Sequence, residues 1–373
     1  MKLHVFLGAG GVGKTTLSAG FALALACKGY KVGLMSIDPA KRLKSALGVD
    51  ELSESGTAIA LPSGQNGGSL QAAFLNVNES FKRWIEQEGM SAASREKLFD
   101  NKLFRAVVDK FATSTDTFAA VRVCEWAEAE NFDHIVVDTA PGLNAVDFLN
   151  KPDRLLAFLD GKLVEWLKWF VGADKEKRTV FHRMVKSSAK LVLDGLAQIG
   201  GRNFLLHFGE FLVLLDDVFA TMFKRLETTV SWLRSPAAAF YLVTAVREDA
   251  VYVARKLIQE MQLLGIQKKI CIVNRAMPES LESDKGLQAA IQEQHSDAAQ
   301  DKGASANSFL NYLASYAALQ KTVVDEMTAA ARGEAGASQG RLVRIPLASG
   351  LDGTEQIRLE DLIRLGNHIV GPG

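Results

Sequence analysis

Only three cysteines occur in 373 residues, and Cys27, Cys124 and Cys271 stand far apart with no Cys-x-x-Cys pair. That spacing argues against a disulfide framework and against zinc, and the thiols are expected to be buried in a reducing compartment. No charge of one sign dominates, since 43 Lys and Arg balance 43 Asp and Glu. No chain-wide field therefore draws the protein to nucleic acid or anionic lipid, and nucleic acid is not expected as a partner. Long apolar runs are missing too. The two most apolar helical stretches are broken by Asp160, Lys162, Glu165 and Lys168, and by His207, Glu210, Asp216 and Asp217. Neither offers the ~20 uninterrupted apolar residues of a membrane span. The first apolar run leads directly into a glycine loop without a small-residue cleavage site, so no signal peptide and a cytoplasmic location are expected. No internal repeat is present.

What is present begins at that loop. Hydrophobic residues make up 48% of the chain, enough for a sizeable core in one large α/β domain with an insertion, or in two domains. Residues 8–16 read Gly-Ala-Gly-Gly-Val-Gly-Lys-Thr-Thr, filling the phosphate-binding pattern Gly-x4-Gly-Lys-Ser/Thr. A strand-like run (residues 2–7) precedes it and an alanine-rich helical run (17–28) follows, which is the context the pattern requires. Gly10, Gly11 and Gly13 let backbone N–H groups converge on an anion at a helix N-terminus, and Val12 supplies one more. Lys14 is placed for the outer phosphates, Thr15 for Mg²⁺ and Thr16 for the α-phosphate. Two aspartates end apolar strands at the same edge: Asp38 after residues 31–37, and Asp138 after 134–137. Asp138 suits a magnesium-water ligand, with an ordinary turn-capping aspartate as the plainer alternative.

The remaining pattern predicts helices over 78–88, 95–111 and 116–131, then long amphipathic helices over 151–233. Strands return at 239–244, 269–274 and 341–345, among helices at 249–264, 308–332 and 355–370. Residues 63–69 are glycine-rich and read as a hairpin tip or loop. The fold expected is a mostly parallel, doubly wound α/β sheet of P-loop NTPase type. Its domain would comprise residues 1–150 and 236–373, with 151–235 inserted as an apolar helical subdomain.

Several separate runs resemble one family. Gly-x-Gly-Gly-Val-Gly-Lys-Thr-Thr at 8–16, Asp-Pro-Ala at 38–40, Asp-Thr-Ala-Pro at 138–141 and Val-Asn-Arg at 273–275 are similar to the ATPases that drive arsenite pumps and target tail-anchored proteins. The run from Asp147 to Asp160 resembles the bacterial branch. The resemblance implies ATP and Mg²⁺ as cofactors and a homodimer, or a heterodimer with a paralogous ATPase. It implies catalytic and metal roles for Lys14, Thr15, Asp38 and Asp138. It also implies an adenine site at Asn274, Arg275 and Pro346. Asn suits adenine because its amide offers a donor and an acceptor to the ring edge.

Against that pattern the chain departs at several positions. The family's signature Lys falls at Ala9, an expected carboxylate at Ser45, a His at Lys41, and a Thr-Gly-His at Gly142-Leu143-Asn144. Loss of a transition-state cation costs on the order of 10³ in phosphoryl transfer. Two readings stay open: a slow ATPase, or the catalytically degenerate ATP-binding half of a heterodimer acting as a switch. The apolar helices of 151–233 could hold a hydrophobic client helix or membrane-protein segment, form a dimer interface, or simply pack as core. Lone cysteines argue against an arsenite site and an iron-sulfur cluster.

Overall fold

The computed structural model of the chain describes residues 1–37, 41–62, 67–76, 115–130, 132–142, 216–266, 269–282, 304–332, 340–347 and 358–371, with a few positions between 79 and 86 and between 284 and 289. Two compact units divide it. One comprises Met1–Leu75, Trp126–Asp147 and Trp232–Gly373, the other Asn76–Glu125 and Phe148–Ser231. The helices expected at 78–88 and 95–111, and the apolar faces expected over 151–215, lie outside the described residues or nearly so.

The first unit holds one sheet. Its strands are β1 (Lys2–Gly8), β2 (Lys31–Ser36), β3 (Thr57–Ile59), β4 (Ser69–Phe74), β5 (His134–Asp138), β6 (Ala238–Ala245), β7 (Lys269–Ala276) and β8 (Arg341–Pro346). They lie in the order β3-β4-β2-β5-β1-β6-β7-β8. Every pairing is parallel except β3 with β4, where Thr57 faces Ala72. The glycine-rich stretch expected as a hairpin tip or loop falls between these two strands, with residues 63–66 outside the described residues, and β4 itself carried too weak a pattern to be expected. All five residues of β5 and all eight of β6 are buried, because helices cover both faces of a parallel sheet. This is the P-loop NTPase architecture, and the sheet confirms the fold read from sequence.

The helices of this unit include α1 (Lys14–Cys27) and α2 (Lys41–Leu47). Further along come α3 (Thr115–Glu130) and α4 (Asp216–Arg234), which run on from the second unit, then α5 (Glu248–Leu263), α6 (Glu279–Glu282), α7 (Ala304–Arg332) and α8 (Leu359–Val370). Helix α1 is apolar all round, and Leu17 to Ala26 are buried without a break. Such a helix needs cover on every side. The sheet supplies one side and α8 the other, through a crossing that only glycine permits. A Cβ on Gly366 would lie 2.0 Å from the Gly20 carbonyl oxygen, and one on Gly20 would lie 2.4 Å from the Leu362 oxygen.

In the second unit, Arg122 donates to Glu125 at 2.8 Å and Arg83 adds a contact at 3.3 Å, so the carboxylate is shared by two guanidiniums. Thr229 of α4 donates to the Ala120 carbonyl at 2.8 Å. Cys124 and Cys271 are buried as expected, while Cys27 at the end of α1 is only partly so. Among the described residues no helix is long and apolar enough to cross a membrane.

Candidate functional site

Strand β1 lies between β5 and β6, so residues leaving its C-terminal end emerge where the strand order reverses. In open α/β sheets that crevice is the ligand site. Residues 8–13 turn there and enter α1 at Lys14. The turn needs glycine at particular places: Gly11 has φ 72° and Gly13 φ 92°, both left-handed. Gly8 passes so close to β6 that a Cβ would lie 2.1 Å from the Val243 oxygen.

Five carbonyls of this loop are tied to protein donors. Gly8 O accepts from Lys14 Nζ at 3.0 Å and from the Gly142 amide at 2.9 Å. Ala9 O accepts from Lys14 Nζ at 3.0 Å. Arg247 Nη2 donates to Gly10 O at 3.3 Å, and Asn274 Nδ2 donates to Val12 O at 2.8 Å. Gly13 O accepts the Leu17 amide, the first bond of α1, at 3.0 Å. The amides of Gly10, Gly11, Val12, Gly13, Thr15 and Thr16, by contrast, meet no protein acceptor among the described residues. An arc of unpaired N–H groups at a helix N-terminus is an anion-binding nest. Val12 contributes only its backbone, since its side chain is sealed in the core.

Lys14 is buried with its ammonium folded over the start of this loop. Thr15 Oγ1 donates to Asp138 Oδ2 at 2.8 Å, and Ser36 Oγ donates to the same oxygen at 3.1 Å. Asp138 is registered beside Phe6 of β1 and Ser36 of β2, which explains why strand-end residues far apart in sequence meet. Thr139 then donates to the Phe6 carbonyl at 2.7 Å and turns the following segment over the loop. These are hard oxygen donors, a hydroxyl oriented by a carboxylate. They fit Mg²⁺, which takes one or two carboxylates and completes its shell with phosphate and water. Among the described residues no His, Cys, Asp and Glu cluster forms a self-sufficient metal site.

Asn274 closes the loop from the end of β7. Its amide donates to Val12 O, and its Oδ1 accepts the Arg275 amide at 3.0 Å. Arg275 is exposed with a left-handed φ of 56°, and its carbonyl accepts from Tyr316 Oη at 2.5 Å. Pro346 is exposed in register with Ala276 on the neighbouring strand, so Arg275 and Pro346 border one stretch of the same sheet edge. Asp38 lies outside the described residues, as do Pro39, Ala40, Leu143 and Asn144. Sequence reasoning missed Ser36 and Arg247. The Ser that ends a buried strand was a readable signal for the first; the second had only a basic residue after an apolar run.

Comparison with known proteins agrees with this geometry. A sequence model of the anion-transporting ATPases matches residues 1–302. The chain is 28% identical over 190 residues to the ATPase get3 of Schizosaccharomyces japonicus, covering 48% of this chain and 55% of that one. It is 22% identical over 285 residues to a putative arsenical pump-driving ATPase 2 of Aquifex aeolicus, covering 75% and 82%. It is 24% identical over 300 residues to the ATPase BagA of Mycobacterium tuberculosis, covering 80% and 72%. The chain thus spans about half the length of the fungal relative and most of the bacterial ones. The family match runs through the amide nest, the Lys14-Thr15 pair and Asp138 at the end of the adjacent strand, and this chain is a member of the anion-transporting ATPase family.

Proposed function

We propose that this protein binds ATP with Mg²⁺ at residues 8–16 and hydrolyses it slowly, its nucleotide state governing a dimer. The observation that carries this reading is that the loop's carbonyls are tied to protein donors while the amides of Gly10 to Gly13, Thr15 and Thr16 meet no acceptor among the described residues and are left for phosphate. Lys14 would leave the Gly8 and Ala9 carbonyls for the outer phosphates. Bound Mg²⁺ would neutralise phosphate charge, held through Thr15 and, across water, Asp138, with Asp38 of the first switch beside it. Asn274, Arg275 and Pro346 would border the adenine, with the Asn274 amide joining the base site to the phosphate loop. Hydrolysis would be slow because Ala9 brings no cation and Ser45 no carboxylate to the reaction.

The wider role rests on sequence pattern and kinship. Residues 151–235 form, in this proposal, an inserted apolar helical subdomain that handles hydrophobic membrane-protein segments, and the protein works in the cytoplasm as a homodimer or with a paralogous ATPase. An arsenite cargo is not supported by three separated cysteines.

Titration of the purified chain with a fluorescent ATP analogue, with and without Mg²⁺, tests the central reading. Saturable binding that weakens at least tenfold in Lys14→Ala supports it, and no binding refutes it. Slow turnover abolished by the same substitution supports the ATPase; binding with no turnover favours the degenerate half of a heterodimer.

A further inference from the structure

Arg247 stands between β6 and α5 and is not part of the phosphate-binding pattern. Its backbone is extended, and its side chain does not cap α5. Instead the guanidinium reaches back to the phosphate loop. Three of its donors are committed: Nε to Asp249 Oδ1 at 3.0 Å, and Nη2 both to Asp249 Oδ2 at 2.7 Å and to Gly10 O at 3.3 Å. The remaining two hydrogens sit on Nη1, for which no acceptor exists among the described residues. That atom is the one nearest the loop's outer bend, 3.6 Å from where a Cβ on Gly11 would lie. The side chain is 46% exposed, so a ligand can approach it without displacing protein.

The loop itself says which phosphate lies nearby. Lys14 Nζ rests on the carbonyls of Gly8 and Ala9, and the Lys of this loop type serves the outer phosphates. The outermost phosphate therefore belongs at the Gly8–Gly11 end, where Arg247 Nη2 meets Gly10 O at 3.3 Å and Nη1 stands 3.6 Å from the place of a Gly11 Cβ. A planar guanidinium fixed by a bidentate carboxylate presents its spare N–H pair at little further entropic cost, which suits a phosphate oxygen.

From this geometry we infer that Arg247 is a phosphate-contacting residue that reads the terminal phosphate of the nucleotide on its own loop, and so separates triphosphate from diphosphate. The inference rests on the proposed ATP site. Asp249 is its positioning residue: it holds the guanidinium without touching the ligand. Arginine supplied in cis is an established way to stabilise charge on a transferring phosphoryl group.

The test compares Mg-ADP and the slowly hydrolysed analogue Mg-ATPγS on wild type, Arg247→Ala, Arg247→Lys and Asp249→Ala, with the thermal midpoint confirming that each variant is folded. Arg247→Ala is expected to weaken ATPγS at least tenfold and ADP less than twofold. Arg247→Lys, which keeps the charge and loses the planar donors, is expected to fall between, and Asp249→Ala to lose part of the discrimination. Equal weakening of both nucleotides, or of neither, overturns the inference: the first makes Arg247 only a brace on Gly10, the second a surface residue. Wild type that binds neither nucleotide instead refutes the ATP site itself.

Discussion

Gly13→Ala combined with Asn274→Ala tests whether the loop is shaped by its tether to β7. A Cβ on Gly13 would lie 2.4 Å from Asn274 Nδ2, about 1 Å short of ordinary contact. Moving the amide that far breaks its 2.8 Å bond to the Val12 carbonyl. Loss of a buried hydrogen bond that leaves an acceptor unsatisfied costs about 1–3 kcal/mol. The φ of 92° adds about 1–2 kcal/mol for any residue with a Cβ. Gly13→Ala should therefore cost about 2–5 kcal/mol, and Asn274→Ala about 1–3 kcal/mol. In the double variant the collision is gone and the bond is lost only once, while the backbone strain remains. The two effects should then fall short of additivity by about 1–3 kcal/mol. Urea unfolding of the nucleotide-free protein, followed by far-UV circular dichroism on all four proteins, measures this. Additivity within about 0.5 kcal/mol would refute the tether.

Three further outcomes are expected. Gly366→Ala should push α8 off α1 and cost about 1–3 kcal/mol, seen as faster amide exchange across Leu359–Val370, because the contact is with backbone that cannot yield. His134 donates to or accepts from His4 at 2.8 Å and is held down to a pKa of about 4, chiefly by burial and then by Lys2. Because the folded value lies below the ordinary 6.5, the unfolded chain binds the extra proton first. Stability should be intact above pH 6.5 and fall progressively towards pH 4, and His134→Asn should flatten that slope in thermal melts. Burial pushes the Cys271 thiol up to about 12, so iodoacetamide at pH 8 should leave it unmodified until the protein is unfolded.

How much was legible follows from where the physics is local. The loop at 8–16 could be read because phosphate binding needs particular residue types at fixed offsets, and every one is consecutive in the chain. Strands β1, β5, β6 and β7 were readable because burial on both faces leaves their central residues apolar. Strands β3 and β4 were not: β3 is three residues long at a sheet edge, and β4, Ser-Leu-Gln-Ala-Ala-Phe, mixes polar, small and large apolar side chains without a clear period. Nothing in the sequence marks Gly20 and Gly366 as partners, and their shared crossing is visible only once α8 lies on α1.

Sequence alone determined that this protein has a triphosphate loop, a parallel sheet to carry it and membership of an ATPase family, since these depend on consecutive residues and on strand burial. Only tertiary structure decided that Ser36 and Thr15 share the Asp138 carboxylate, that Asn274 grips Val12, and that Arg247 faces Gly10. The reason is the strand order. Parallel strands bring their C-terminal ends to one edge whatever their separation in the chain, so the partners of the loop come from positions more than a hundred residues apart, as the separations of 123, 262 and 237 for Thr15–Asp138, Val12–Asn274 and Gly10–Arg247 record.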